Sequence, residues 1–381
     1  MESTSTMVTN LPVPSCAMEE YLSEWMQHMG DRRSTPARPM LKILRLLRES
    51  WVAAFMMFVH LLLTAADNIT TPKSYSFAAR FSTRTLFGYI TSFVSYHIIS
   101  GRRQNILSAF HHSRIAAQAL YASGWNQDKL NSSVHRSRLV LWRVYPLYAA
   151  TVNVVVLLSM LLEASPNFDL WLYHRSTVLW LMKWLLGVMS LSCCFVVVFT
   201  VMFVELAIHT SAAALLEQVG HRFSQKQGKY ETVRSVRIHV MLLAACQQAN
   251  AMFGLLLPLY LLGSYAVSVL STVSVVRGGV TSDMYGMVCT SYIFAFFGPM
   301  CFAGERIQDA ALGLSTRVYE GPWPEEDVCT RRTRLQIMVC CARPARFMVP
   351  GMPVMNLPTC RQGVRSWFQF IQVLINIQSR K

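Results

Sequence analysis

Residues 304–323 read "GERIQDAALGLSTRVYEGPW", a charged segment with helical periodicity set between apolar runs. One apolar run, 284–303, leads into it, and another closes the chain. Ile307, Ala310, Ala311, Leu314 and Val318 recur at helical spacing, so the preceding apolar helix is expected to continue straight through them. Gly321, Pro322 and Pro324 then stop it. A second helix is expected to restart near Glu325 or Glu326, whose acids suit a helix N-terminus, with Val328, Leu335, Met338 and Val339 along one face. Pro344, Pro350 and Pro353 end it, so residues 304–353 form a helical block of their own.

The chain around that block has the composition of a membrane protein. Hydrophobic residues make up 53% and charged residues 14%, with a mean hydropathy of +0.32; soluble domains carry about 25% charged residues. Its 381 residues leave room for seven or eight membrane-spanning helices and short loops, and little for a separate soluble domain. The ten cysteines form no CxxC pair, so neither a zinc site nor a disulfide framework is expected, and no cofactor or metal is implied. Buried or juxtamembrane thiols are the plain reading, with a palmitoylated pair at Cys340 and Cys341 as the alternative. The first forty residues lack a basic n-region followed by an apolar core and a small-residue cleavage site, so the first hydrophobic helix is expected to act as the insertion signal.

Apolar runs of spanning length give seven candidate helices in a single domain, 1–381. They are 48–66, following the amphipathic "LKILRLLRES", then 83–100, 139–162, 177–209, 240–273, 284–303 and 354–378. Thr, Ser, Tyr and His97 interrupt the second, the fourth and fifth are longer than a bilayer needs, and Pro258 falls near the middle of the fifth. The fold class expected is therefore an all-α membrane protein with seven transmembrane helices and a cytoplasmic helical anchor region. That region joins the extensions of helices 4, 5 and 6 to the first part of helix 7.

Lys and Arg in the connections orient these spans, because the basic side is normally cytoplasmic. Twenty-four fall in the N-terminal segment and the loops on its side, against seven on the other, counting Arg84 among the seven. The N-terminus is thus expected inside and the C-terminus outside. Of two sequons, "NIT" at Asn68 falls in an outside loop and is the glycosylation candidate, whereas "NSS" at Asn131 falls inside. G-protein-coupled receptors have the opposite orientation, and this chain lacks their DRY-like and NPxxY signatures. The net charge of +15 follows from the positive-inside bias, with the arginines scattered at helix ends, so no nucleic-acid partner is needed.

The spacing of Gly304, Tyr319 and Trp323 resembles the signature that insect odorant receptors carry after their sixth helix, a Gly with Tyr fifteen and Trp nineteen residues on. The resemblance continues through "RRTRLQIMVCCARP" and "MNLPTC" into the last helix without a gap, over roughly the last 80 residues. Ala311, Cys340, Ala342 and Pro350 depart from the residues usual in the family, and Arg361 and Arg365 are more basic. The resemblance implies a subunit of a ligand-gated cation channel. Four subunits, shared with a coreceptor, would surround a pore lined by the last helix, in the plasma membrane of a sensory neuron. Gly304, Tyr319 and Trp323 would then belong to the subunit anchor.

"SWFQFIQVLINIQ", residues 366–378, places Gln369, Gln372 and Asn376 on one face of an otherwise apolar helix, with Val373 beside them. Amides in a bilayer are costly unless they face protein or water. On pattern alone they either pair with neighbouring helices of a monomeric bundle or line a pore. The resemblance implies the second. The coreceptor's terminal Thr-Tyr-Phe-x-Val-Leu-x-Gln pattern then puts its Val on Val373, a hydrophobic constriction, and its Gln on Asn376.

The resemblance also implies a pocket for a small volatile molecule among the middle and outer parts of spans two, three, four and six, with span five nearby. Those parts hold Phe87, Tyr89, Tyr148, Trp180 and Trp184, followed by Tyr260, Tyr265 and Tyr292. An apolar cavity with a few hydroxyl or indole groups suits such a ligand, since burial contributes about 25 cal/mol per Å² and one or two hydrogen bonds orient it. Lys183 is expected to snorkel outward. A gustatory-type channel is the alternative reading, although Gln369, Phe370, Asn376 and Ile377 depart from its usual ending. A secondary transporter would show an internal repeat and paired broken helices. An enzyme would need convergent ionisable groups: His111 and His112 face different ways, and Glu205 and His209 share a helix face with no acid or Cys completing a catalytic set.

Overall fold

Among the described residues every regular element is a helix. The structure, a computed structural model, describes residues 16–29, 51–70, 76–122, 128–139, 175–226, 228–254, 256–278, 284–342, 345–348 and 351–379, with isolated positions between 143 and 155. In chain order the helices are α1 (Ala17–His28), α2 (Trp51–Thr70), α3 (Ser76–Gly101), α4 (Arg103–Tyr121), α5 (Asp128–Leu139) and α6 (Thr177–Phe223). They continue with α7 (Lys229–Phe253), α8 (Leu256–Gly278), α9 (Met284–Thr290), α10 (Tyr292–Tyr319), α11 (Val328–Cys341) and α12 (Leu357–Ser379). Of the expected third span, only Leu139 and isolated positions are among the described residues, and "LKILRLLRES" lies outside them.

The core is organised by α6, whose 47 residues extend about 70 Å, more than twice a hydrocarbon layer of about 30 Å. It packs against α2, α3, α4, α7 and α10. The helix runs past the expected end at His209 because nothing there breaks it. Thr210 and Ser211 donate their hydroxyls to the Leu206 and Ala207 carbonyls, each at 2.6 Å, and the following Ala-Ala-Ala-Leu-Leu run has high helix propensity.

Two expected spans are divided. The run 240–273 is interrupted at Gly254, between α7 and α8. Pro258 therefore stands in the first turn of α8, where a missing N–H leaves no helical bond unmade. The run 284–303 is interrupted at Ser291, whose hydroxyl donates to the Val288 carbonyl at 2.6 Å; α10 then continues through Pro299 to Tyr319. Among the described residues, Thr177–Phe223, Leu257–Val276 and Gly286–Tyr319 are long and apolar enough to cross a membrane, and Trp51–Leu63 is a shorter apolar helix. Hydroxyls in α3, and amides with Arg361 and Arg365 in α12, lower the hydropathy of those two.

A second helical layer lies at the C-terminal end of α6. There α1 buries Tyr21, Leu22 and Trp25, with Trp25 stacked on Phe110 of α4 at 6.0 Å. Arg114–Glu19 and Arg138–Glu24 pairs, both at 3.2 Å, flank that contact. The ends of α6 and α10 are joined by Arg334 of α11, which is fully buried with Glu326. Its guanidinium pairs with the Glu326 carboxylate and donates to the carbonyls of Phe223, of Val318 at 3.4 Å and of Gln225 at 3.3 Å. Carbonyls that a helix end leaves without partners thus receive a cation.

This pairing also decides which face of α11 turns inward. Thr330, Arg334, Ile337 and Cys341 are buried, whereas Val328, Leu335 and Val339 are exposed and Met338 is half-buried. The apolar face expected from the sequence is the outer face of the single chain. The helix begins after Asp327, whose carboxylate accepts from the backbone N–H groups of Cys329 and Thr330. Glu325 instead ends a 3-10 turn, Trp323–Glu325, and Glu326 turns in to Arg334.

Candidate functional site

A cavity of about 50 Å³ lies between α3, α6, α8 and α10. From α3 come Arg84, Thr85, Tyr89, Thr91 and Ser92; from α6 come Leu191, Cys194, Phe195 and Val198. Ser264 and Val267 of α8 and Tyr292 and Phe296 of α10 complete the wall. The hydroxyls of Thr91, Ser92 and Ser264 donate to the carbonyls of Phe87, Gly88 and Tyr260 at 2.7, 2.8 and 3.0 Å. Their protons are used on the backbone, so lone pairs remain for the cavity.

The apolar side is an aromatic stack. Tyr292 meets Phe195 and Phe296 edge-on at 6.0 and 5.5 Å, and Tyr260 meets Phe296 edge-on at 5.9 Å. Such T-shaped pairs fix ring orientations beyond simple burial. Arg84 is fully buried here, inside α3. Its assignment to an outside loop is corrected: Arg84 lies within α3 and is one of the residues that line the cavity.

The residues singled out for a pocket fall in several places. Tyr89 and Tyr292 line the cavity. Tyr260 is buried behind its wall, donating to the Val198 carbonyl at 3.4 Å, and Phe87 is half-buried against the core. Tyr265 points away, 45% exposed, with its ring 5.8 Å from Trp367 of α12. Trp180 and Trp184, half-buried on α6, do not line the cavity, and Tyr148 lies outside the described residues. Aromatic residues at helical spacing carried no signal for Arg84, Ser92 or Ser264. An arginine inside a hydroxyl-rich helical run was the sequence clue for the first of these.

A second site joins α10 to α12. Gly304 is buried against the Met355 carbonyl. The Met355 N–H donates to the Phe347 carbonyl at 3.0 Å, and the Phe347 ring lies on His209 of α6 at 4.5 Å. Asn250 of α7 donates to the Arg346 carbonyl at 2.7 Å, and Glu305 accepts from the Leu357 N–H at 3.0 Å where α12 starts. Helices α6, α7 and α10 therefore fix the start of α12. Glu205 and His209 are buried in this packing. Tyr319 is 68% exposed and Trp323 half-buried, its indole donating to the Tyr319 carbonyl at 2.6 Å, so in one chain they form no buried anchor.

Beyond Trp367, α12 is largely uncovered. Gln369, Gln372 and Asn376 are exposed, and Val373 is 55% exposed beside them. The backbone of Asn68 is in the last turn of α2, and its side chain lies outside the described residues. Among the described residues no group of three or more His, Cys, Asp or Glu could hold a metal ion.

The fold has known counterparts. The insect olfactory receptor OR5 from Machilis hrabei matches with a TM-score of 0.75 at 12% identity, over 94% of this chain and 97% of that one. The same receptor in complex with eugenol matches with a TM-score of 0.74, at the same identity and coverage. At that identity the likeness is one of fold. No curated protein matches. The family model described as 7tm Odorant receptor matches residues 83–368, which include the cavity-lining helices, the segment from Gly304 to Trp323 and the first half of α12. By that match, the chain belongs to the 7tm odorant receptor family.

Proposed function

We propose that this chain is an odorant-gated, non-selective cation-channel subunit of the plasma membrane, assembled as a tetramer with a coreceptor. The supporting observation is that Gln369, Gln372 and Asn376 are exposed together on α12 of the single chain. Amides at bilayer depth need water or protein opposite them. Four such helices around an axis supply both, and rings of Val373 supply a constriction that closes by excluding water.

The exposed Val328, Leu335 and Val339 of α11, with Tyr319, give the subunits an apolar surface on which to meet. A small volatile molecule enters the cavity between α3, α6, α8 and α10, and Tyr265 of α8 passes movement to α12 through Trp367. The N-terminus is cytoplasmic. A tag there should react with antibody only after permeabilisation, and a tag after Lys381 should react on intact cells. The function is tested by recording odorant-evoked current from cells expressing this chain with and without a coreceptor. Current is expected only with both, and its absence from a broad odorant panel in surface-expressing cells refutes the assignment.

A further inference from the structure

We propose that Arg361 and Arg365 form a positively charged cytoplasmic mouth to the pore, which depletes cations there and lets the channel pass inward current more readily than outward; this rests on α12 lining the pore. Both arginines are exposed near the start of α12. A guanidinium stays protonated in any protein environment. Helix α12 holds no Asp or Glu, and among the described residues neither arginine has an ion pair. Glu305 of α10 meets the start of α12, where it accepts from the Leu357 N–H at 3.0 Å.

At about 100° per residue, Arg361, Arg365, Gln369, Gln372 and Asn376 fall within about 80° of one another around the helix. Phe368 and Ile375 border that stripe on one side and Val373 and Ile377 on the other, all four about half exposed. Gly363 and Trp367 lie on the opposite side. There a Cβ on Gly363 would meet the Phe297 ring of α10 at 2.8 Å, and Trp367 meets Tyr265 of α8. The two charges therefore continue the amide stripe toward the N-terminal end of α12, along its centre and not on its apolar borders. With the chain's N-terminus cytoplasmic, that end is the inner one. At 1.5 Å per residue, Arg365 and Arg361 stand about 12 and about 18 Å from Val373 along the axis. Charges of one sign between low-dielectric walls change the local ion concentration, and rings of them set which ions pass. Cations entering from the cytoplasm meet this mouth first, whereas those entering from outside meet it only on leaving.

The test records inside-out patches from cells expressing the full chain with coreceptor, opened by the same odorant panel, in symmetrical sodium chloride. The readout is the ratio of outward to inward current at equal and opposite voltages. Arg361→Gln/Arg365→Gln should raise that ratio at least about twofold, and Arg361→Glu/Arg365→Glu should raise it further, because the field at the mouth is first removed and then reversed. Arg361→Lys/Arg365→Lys keeps the charge and should keep the ratio. In the unmodified channel, raising cytoplasmic salt from about 0.1 M to about 1 M shortens the screening length from about 10 Å to about 3 Å and should raise the ratio as the Gln pair does. Odorant-evoked current with the same ratio in the Gln and unmodified channels overturns the proposal and leaves the channel reading standing; the arginines then face lipid headgroups, as basic residues at inner helix ends commonly do. A ratio that the Lys pair raises as much as the Gln pair also overturns it, since charge is then not the cause. If the Gln pair does not reach the surface, the salt series decides, and a ratio that salt leaves unchanged overturns the proposal. No current from any of these channels in surface-expressing cells removes the channel reading and the proposal with it.

Discussion

Gly304 of α10 lies so close to the Met355 carbonyl that a Cβ at position 304 would sit 2.9 Å from its carbonyl carbon and closer still to its oxygen. Only a residue without a side chain lets the segment before α12 cross α10 there. That crossing sets where the last helix starts.

Gly304→Ala should therefore destabilise the fold. Overpacking against backbone costs about 1–3 kcal/mol, and improved helix propensity offsets at most about 1 kcal/mol of it. Gly313, on the same helix, has open space around it and serves as the control. Thermal unfolding of detergent-solubilised protein should show a lower midpoint for Gly304→Ala and an unchanged or higher one for Gly313→Ala. Equal midpoints for the two would remove the steric argument.

Arg334→Met should have a larger effect, because it leaves the Glu326 carboxylate fully buried without its cation. Breaking such a pair costs about 3–5 kcal/mol, whereas replacing both partners with apolar residues is often neutral. The double variant Arg334→Met/Glu326→Leu should thus recover most of the lost thermal stability. Failure to recover would mean that the carbonyls of Phe223, Val318 and Gln225, not Glu326, are what the guanidinium satisfies.

Much of this architecture was legible as pattern. The continuation of the sixth apolar run through Ile307, Leu314 and Val318, and its stop near Gly321, follow from period and from helix breakers, which act locally. What the pattern missed depends on tertiary contact. The inward face of α11 is set by Arg334 meeting two helix ends more than a hundred residues upstream and sixteen upstream, so its apolar residues turn outward against expectation. The division of the fifth run at Gly254 was not expected, and Pro258, near the middle of that run, stands in the first turn of α8, where proline is welcome. Arg84 counts as a loop charge by span length alone, whereas it lies within α3. Of the aromatics expected in the cavity, Tyr89 and Tyr292 line it while Tyr265 turns to Trp367, since an aromatic residue suits a cavity wall and a helix interface equally well.

The thiols of α11 should differ in reactivity. Cys340 is exposed, whereas Cys341 is buried, and burial pushes its thiol up to about 11. A thiol so raised stays protonated, and so unreactive, until the pH nears that value, whereas an ordinary one ionises near pH 8.5. Maleimide at pH 8 should modify Cys340 and Cys329 of solubilised protein and spare Cys341, as read by peptide mass. The sign for stability follows. Between the ordinary value and about 11 the unfolded chain holds fewer protons at this site than the folded one, so stability falls as pH rises through that window. Equal modification of Cys340 and Cys341 would contradict the burial of Cys341, and would restore the pair as a joint acylation site.

The most direct test of the channel assignment is the reversal potential under bi-ionic conditions, with ligand-free current, for substitutions of Val373. The residue is exposed beside Gln372 and Asn376 on α12. If its ring closes the pore by excluding water, Val373→Asn and Val373→Ala should raise ligand-independent current or shift the calcium-to-monovalent permeability ratio. Val373→Leu should do neither strongly, and the matching substitution in the coreceptor controls for dilution in a mixed tetramer. Identical permeability ratios and no added basal current in well-expressed Val373→Asn channels, with the coreceptor position also changed, would contradict the account.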